Sequence, residues 1–400
     1  MTYAFFSFPL SGHNTPHVEL VRALVGRGET VYYYTSKALW HRFNDVPELR
    51  LMAYPEPFQS YFDSLSDKHQ RHGDLIYMMH CFYKAAALLI DFCLLEIPDK
   101  NIDYVIVDSF SIYARIACKV LGVPMCKVFP SIIGDKTAVK NSGRMQAELI
   151  KMIAKDFWHL IGIFIINLKF LLKYKNTVKL ADVMSPEQDL TLVMTSKTFH
   201  PGSDQYGKHV HFLGADHKRT HFYRPSEREG ILASMGSVLQ HEGFYETCAE
   251  ATKDLDCTLY VILGPNMQST QKALEAYPHV TLLAHLSLDA FREKIAKSKV
   301  FITHGGYNSI QNGLLYCTPM LIRPFSPEQS TNAYLVEKAN CGKQLTGKGY
   351  NAKNMKMGIQ ALLNDPEIEG HLRIQSDALS SGIGIEKAID LLQEDNLRSR

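Results

Sequence analysis

The chain has 400 residues, 46% of them hydrophobic and 21% charged, and its formal net charge is +2. That length favours two domains over one core. The composition excludes a disordered chain, and the charge excludes a global field that would recruit nucleic acid. Eight scattered cysteines form no C-x-x-C pair, which argues against a zinc ribbon or a thioredoxin-like motif. Free thiols in a reducing, cytoplasmic setting are expected.

In chain order, the opening run YAFFSF (3–8) is short, lacks a basic flank and breaks at Pro9, so it reads as a first strand rather than a signal peptide. A helix over 16–27 is expected, with Thr15 as cap, Pro16 in the first turn and Gly28 at the exit. Further strands are expected at 30–36, 104–110, 125–131 and 190–196, and long apolar helices at 77–97 and 145–174. The stretch 158–172 is interrupted by His159, Asn167 and Lys169 and falls short of an uninterrupted spanning run. Residues 201–229 carry prolines, histidines and charges, with HVHFLG (209–214) as the one strand-like run, and read as an inter-domain connection. Strand-like runs then resume at 230–236, 258–264, 280–286, 300–306 and 320–325. This alternation predicts an α/β protein of two Rossmann-like parallel-sheet domains, 1–200 and 230–384, with a helix near 385–400 that crosses back to the first domain.

Ligands of open parallel sheets bind beyond the carboxyl ends of the strands. In the run FITHGGYNSIQNGLLYCTPMLIRPFSPEQSTNA (301–333) a strand ends at Thr303, Gly305 and Gly306 turn the chain, and a helix follows. Free backbone N–H groups and the positive helix end make such a turn a diphosphate site. His304 and Ser309 add side-chain donors.

This run resembles the donor-binding signature of the family 1 glycosyltransferases, roughly THGGxxSxxEAxxxGVPMxxxPxxxDQxxNA. It matches at Thr303, His304, Gly305, Gly306, Ser309, Pro319, Met320, Pro324, Gln329, Asn332 and Ala333. The resemblance implies the GT-B fold, two such domains facing across a cleft. It also implies that His304, Ser309 and nearby backbone hold a donor diphosphate, that Asn308 is among the donor-binding residues, and that Glu328 and Gln329 hold sugar hydroxyls. Where the family has Glu, Gly, Asp and a Pro-Gln pair, this chain has Asn312, Cys317, Glu328 and Ser287-Leu288. Asn312 alters the ribose contact, so a dTDP-sugar stands beside a UDP-sugar as donor.

Inverting transfer needs a base for the acceptor hydroxyl, and histidine suits neutral pH. His13, in Gly12-His13-Asn14-Thr15-Pro16, resembles the family's GHxxP base. The residues alone also allow an ordinary loop histidine. Asp108 ends the strand YVIVDSF on the same sheet edge if the strands are parallel, where it can orient that imidazole; it can equally cap the next helix. In SMGS (234–237), Gly236 and Ser237 offer further donor contacts. The first turn lacks G-x-G-x-x-G, which counts against a nicotinamide or flavin enzyme. The one D-x-D, at Asp254–Asp256, sits at a helix end rather than a metal-diphosphate site. Metal-independent transfer without a cofactor beyond the sugar nucleotide is expected.

The acceptor is expected to be a small hydrophobic natural product, met by the N-terminal half. Segment 145–174 is read three ways: an acceptor-pocket lining, a plain amphipathic core helix, or a membrane-contacting surface for a lipid acceptor. Two rival readings of the whole are a non-catalytic partner protein on the same fold and a sugar-nucleotide epimerase or hydrolase.

Overall fold

A computed structural model describes residues 1–62, 64, 75–134, 156–175, 185–186, 189–236, 243–264, 267–284, 286–345 and 347–399. The chain divides into two compact units, Met1–His217 with Ser381–Arg400, and Lys218–Ser380.

In the first unit the strands are β1 (Thr2–Phe6), β2 (Thr30–Thr35), β3 (Arg50–Ala53), β4 (Tyr104–Asp108), β5 (Met125–Phe129), β6 (Leu190–Val193) and β7 (Val210–Phe212). They form one sheet in the order β3-β2-β1-β4-β5-β6-β7, with every adjacent pair parallel. A parallel sheet is covered on both faces, so its strands read as continuous apolar runs. β4 and β5 are buried at every position, and Asp108 is the lone carboxylate in that set. The covering helices are α1 (Ser11–Gly26), α2 (Leu75–Asp99), α3 (Ile112–Leu121) and α4 (Phe157–Tyr174).

The second unit holds β8 (Ile231–Ser234), β9 (Leu259–Ile262), β10 (Val280–Leu283), β11 (Val300–Thr303), β12 (Met320–Ile322) and β13 (Gly342–Gln344). Their order is β10-β9-β8-β11-β12-β13, again all parallel. Its helices are α5 (Phe244–Thr252), α6 (Gln268–Leu274), α7 (Leu288–Lys297), α8 (Tyr307–Leu315), α9 (Pro327–Lys338), α10 (Ala352–Leu363) and α11 (Ile368–Ser380). Both sheets therefore reverse direction next to their first strand, between β1 and β4 in one unit and between β8 and β11 in the other. Such switch points leave a crevice at the strand ends.

Three expectations are corrected. The first helix begins at Ser11, with Pro16 inside it and no side-chain cap. Proline cannot donate to the carbonyl four residues back, so sequence alone places the start there. The extra turn is held by side chains instead: Thr15 Oγ1 donates to Ser11 O at 2.9 Å, and Asn14 Nδ2 to Phe8 O at 2.8 Å and Leu10 O at 2.9 Å. Residues 201–229 are no free-standing connection, because Val210–Phe212 pair with Thr191–Val193 as the edge of the first sheet. The division falls instead between His217 and Lys218.

Residues from Ser381 onward belong to the first unit, where α12 (Gly384–Ser399) lies against α1. Ala388, Ile389 and Leu392 are buried in the same apolar cluster as Leu20 and Leu24. Arg27 reaches Glu386 at 2.6 Å and Asp390 at 2.8 Å.

Candidate functional site

Each switch point gathers the residues that the sequence singles out. In the first unit, parallel pairing of β1 with β4 sets Phe6 beside Val107, so the strands end together. Asp108 and the start of α1 then meet. His13 Nδ1 lies 2.8 Å from Asp108 Oδ2 and 3.0 Å from Oδ1. Asp108 is wholly buried while the His13 side chain keeps 14% of its exposure. A carboxylate only accepts, so it fixes the proton on Nδ1 and leaves Nε2 as the basic nitrogen. Asp108 Oδ1 also accepts from Phe110 N at 2.9 Å, tying the turn after β4. It caps no helix: Ser111 is the residue before α3, and no side chain caps that helix.

Several neighbours were not singled out from sequence. Asn14 is fully satisfied, its Oδ1 accepting from Tyr33 OH at 3.0 Å and Thr35 Oγ1 at 2.8 Å, which pins the His13 turn to β2. His17, one helical turn after His13, places Nε2 at 3.6 Å from Asp108 Oδ2, too long for a hydrogen bond but close for a charge. Phe110 lies 4.7 Å from the His13 ring between centroids, and Phe8 lies 6.0 Å from it. Phe82 closes the group at 4.4 Å from Phe8 and 5.3 Å from Phe110. The His13 imidazole thus sits against an aromatic wall. The signal was present in Phe8 and in the Phe of DSF, which follow the two strands whose ends meet at His13 and Asp108.

His17 is fully buried, and burial pushes its pKa down to about 4, against the pull of Asp108. An unfolded imidazole titrates near about 6.5. Between those values the unfolded chain binds a proton that the folded chain refuses, so stability rises with pH through that window. The contribution is complete above the unfolded value and is lost as pH falls towards 4. Denaturant midpoints measured across this range should fall on acidification, and His17→Gln should make that fall shallower. An unaltered slope in the variant would contradict a neutral, buried His17.

In the second unit, β11 ends at Thr303 and α8 starts at Tyr307, with Gly306 before it and no side-chain cap. The first N–H groups of a helix lack intrahelical partners, so an uncapped start is open to an anion. Gly305 has φ +89°, and a Cβ there would lie 2.7 Å from Ile322 Cγ2. Asn332, fully buried on α9, donates from Nδ2 to Gly305 O at 3.0 Å and holds the turn. The His304 ring lies between two glycines: added Cβ atoms would meet Nε2 at 2.7 Å from Gly306 and Cε1 at 3.1 Å from Gly236. Gly236 follows β8, so the turn after β8 and the turn after β11 converge on one imidazole. Burial pushes His304 down to about 4, leaving it neutral near pH 7. Its Nδ1 is buried with no hydrogen-bond partner among the described residues.

Asn308 and Ser309 occupy the first turn of α8. Asn312 is buried, its Nδ2 donating to Asn308 O at 2.7 Å while Oδ1 has no partner among the described residues. Gln329 Oε1 accepts from Phe325 N at 2.8 Å, so part of that amide braces the loop before α9. Glu328 beside it is exposed. Ser237 lies outside the described residues. Ser287 caps α7, accepting from Ala290 N at 3.3 Å, and Asp254 pairs with Lys356 at 2.8 Å. No group of three or more His, Cys, Asp or Glu able to hold a metal ion is present among the described residues.

Residues 278–375 match the family model described as UDP-glucoronosyl and UDP-glucosyl transferase. The chain is similar to an uncharacterized UDP-glucosyltransferase, YojK, of Bacillus subtilis (strain 168), at 24% identity over 97% of this chain and 95% of that one. It is also similar to the oleandomycin glycosyltransferase of Streptomyces antibioticus, at 24% identity over 98% of this chain and 90% of that one. Among solved structures, the glycotransferase of kitacinnamycin superposes with a TM-score of 0.79 at 23% identity, covering 98% of both chains, a likeness of fold. With the two reversing parallel sheets and the glycine turn before α8 already in place, these likenesses show a chain with the fold of GT-B glycosyltransferases that carries, over residues 278–375, a stretch matching the UDP-glucoronosyl and UDP-glucosyl transferase family.

Proposed function

We propose that the enzyme is a metal-independent, inverting O-glycosyltransferase that moves a sugar from a nucleoside diphosphate to a hydroxyl of a small hydrophobic acceptor. The observation that carries this reading is the His13–Asp108 pair at 2.8 Å beside an aromatic wall. His13 Nε2 takes the proton of the acceptor hydroxyl as that oxygen attacks the anomeric carbon. The bond from that carbon to the β-phosphate oxygen breaks in the same step, and the nucleoside diphosphate leaves. Asp108 keeps the imidazole in the productive tautomer and offsets the positive charge that it gains.

The donor belongs to the second unit. Negative charge that builds on the departing diphosphate is met by the uncapped start of α8 and by the neutral N–H of His304. Ser309 and Asn308 supply further polar contacts from the first turn, Ser237 from the turn after β8, and Glu328 and Gln329 bind sugar hydroxyls. Asn312 supports a preference among donors. With Nδ2 engaged, it offers one acceptor oxygen, where a carboxylate would offer two. One ribose hydroxyl suits it, so a dTDP-sugar should be used at least as well as the matching UDP-sugar. The aromatic group of Phe8, Phe82 and Phe110 supports an apolar acceptor, since such sites are lined by aromatic side chains with few polar groups.

The test is nucleotide release from dTDP-glucose and UDP-glucose, with and without a panel of hydroxylated polyketides and flavonoids, in buffer containing a chelator. Release should depend on acceptor and survive chelation, and the glycoside should carry inverted anomeric configuration. Equal release without acceptor would make the enzyme a hydrolase and sink the proposal.

A further inference from the structure

Helix α4 has its amphipathicity inverted. Ile163 and Phe170 are its buried residues, on the side that packs against α2. The opposite side carries Phe157 (56% exposed), Trp158 (79%), Phe164 (70%), Ile165 (48%), Leu168 (45%) and Leu172 (75%). At about 100° per residue these six fall on one face, while His159, Asn167, Lys169 and Lys173 fall towards the packed side or its flanks. A helix on the surface of a water-soluble domain has the reverse arrangement. The 18 residues have a mean hydropathy of 1.4, yet only 11% of them are buried, unlike the core helix of a soluble protein.

The charges that the helix itself carries have one sign. No Asp or Glu lies between Phe157 and Lys175, and the helix ends in Lys169, Lys173 and Lys175. Along its edge with α2 runs an open groove of about 390 Å³, with an apolar floor of Ala87, Ile166 and Phe170 and a rim of Lys84, Lys169 and Lys173. Lys173 shares its charge with Asp91 on α2 at 2.5 Å. An apolar face of these dimensions, bordered by ammonium groups above a greasy floor, fits anionic headgroups over acyl chains.

We propose that α4 is a membrane-docking helix that lies flat in the headgroup region of an anionic lipid bilayer, so that the enzyme works at a membrane surface. Its packing on α2 along one side distinguishes it from a spanning helix, which would have to leave the domain. This placement does not rest on the transfer chemistry, so its failure would leave that reading intact.

The experiment is flotation of the full-length protein with vesicles of phosphatidylcholine alone and with added phosphatidylglycerol, at low and high salt. Binding to the anionic vesicles should exceed binding to the neutral ones by roughly tenfold and weaken with salt. Trp40 and Trp158 are the two tryptophans, so in a Trp40→Phe background Trp158 emission should shift to the blue on vesicle addition. Leu172→Glu and Phe164→Glu, both at exposed positions, should cut binding to either vesicle by about tenfold or more without lowering the melting temperature. Lys169→Glu should remove mainly the anionic advantage. The proposal is overturned if neither vesicle floats the protein, or if Trp158 emission is already blue and indifferent to lipid. It is equally overturned if light scattering finds a lipid-independent dimer that Leu172→Glu dissolves, in which case the face belongs to a second copy.

Discussion

His13→Ala is expected to lower kcat by about 10²–10⁴-fold while donor affinity, measured by calorimetry, stays within about twofold. The reasoning is local. His13 lies in the first unit, with Nδ1 on a wholly buried carboxylate, whereas the residues proposed for the donor lie in the second. Asp108→Asn should separate the roles within the pair. An amide can present its NH₂ to Nδ1, which favours the proton on Nε2 and makes that nitrogen a donor instead of a base. Turnover should therefore fall by a comparable factor although the side chain is nearly isosteric. Turnover that survives either change would remove the base from the mechanism.

The second large effect is expected from Gly306→Ala. Its φ of −59° suits alanine, so the backbone tolerates the change. The added methyl would stand 2.7 Å from His304 Nε2, closer than a real Cβ contact allows. The imidazole must swing out of the turn. Donor dissociation constants should rise by about 10–100-fold, which corresponds to about 1.4–2.8 kcal/mol, with little change in melting temperature. Gly305→Ala would behave differently, since its φ of +89° adds backbone strain and should cost global stability as well. Unchanged donor affinity in the Gly306 variant would detach His304 from the donor site.

The glycine turn after β11 was legible because its constraints are local: two glycines, a strand before and a helix after are all written within a few residues. The approach of Asp108 to His13 was legible on the condition that β1 and β4 are parallel, and they are. Strand order was not legible, because it depends on pairing between segments far apart in the chain. With it went the recognition that both clusters stand at switch points. β13, three residues long, owes its existence to neighbouring strands rather than to propensity. The aromatic group beside His13 escaped notice because Phe82 comes from the middle of a long apolar helix, where nothing local distinguishes it. Cys317 teaches the opposite lesson. As a departure from the donor signature it suggests altered binding. It has φ +54° just beyond the end of α8 opposite the glycine turn. Glycine there serves backbone conformation, so the substitution bears on local strain at that end of the helix.

Because α12 buries Ala388, Ile389 and Leu392 among residues of the first unit, the two halves are not separable by a single cut. A chimera that exchanges the second unit must be spliced twice, near 217/218 and near 380/381, keeping the tail with the first unit. A one-junction hybrid would pair a foreign tail with the native α1 surface and lose solubility before its sugar preference could be read.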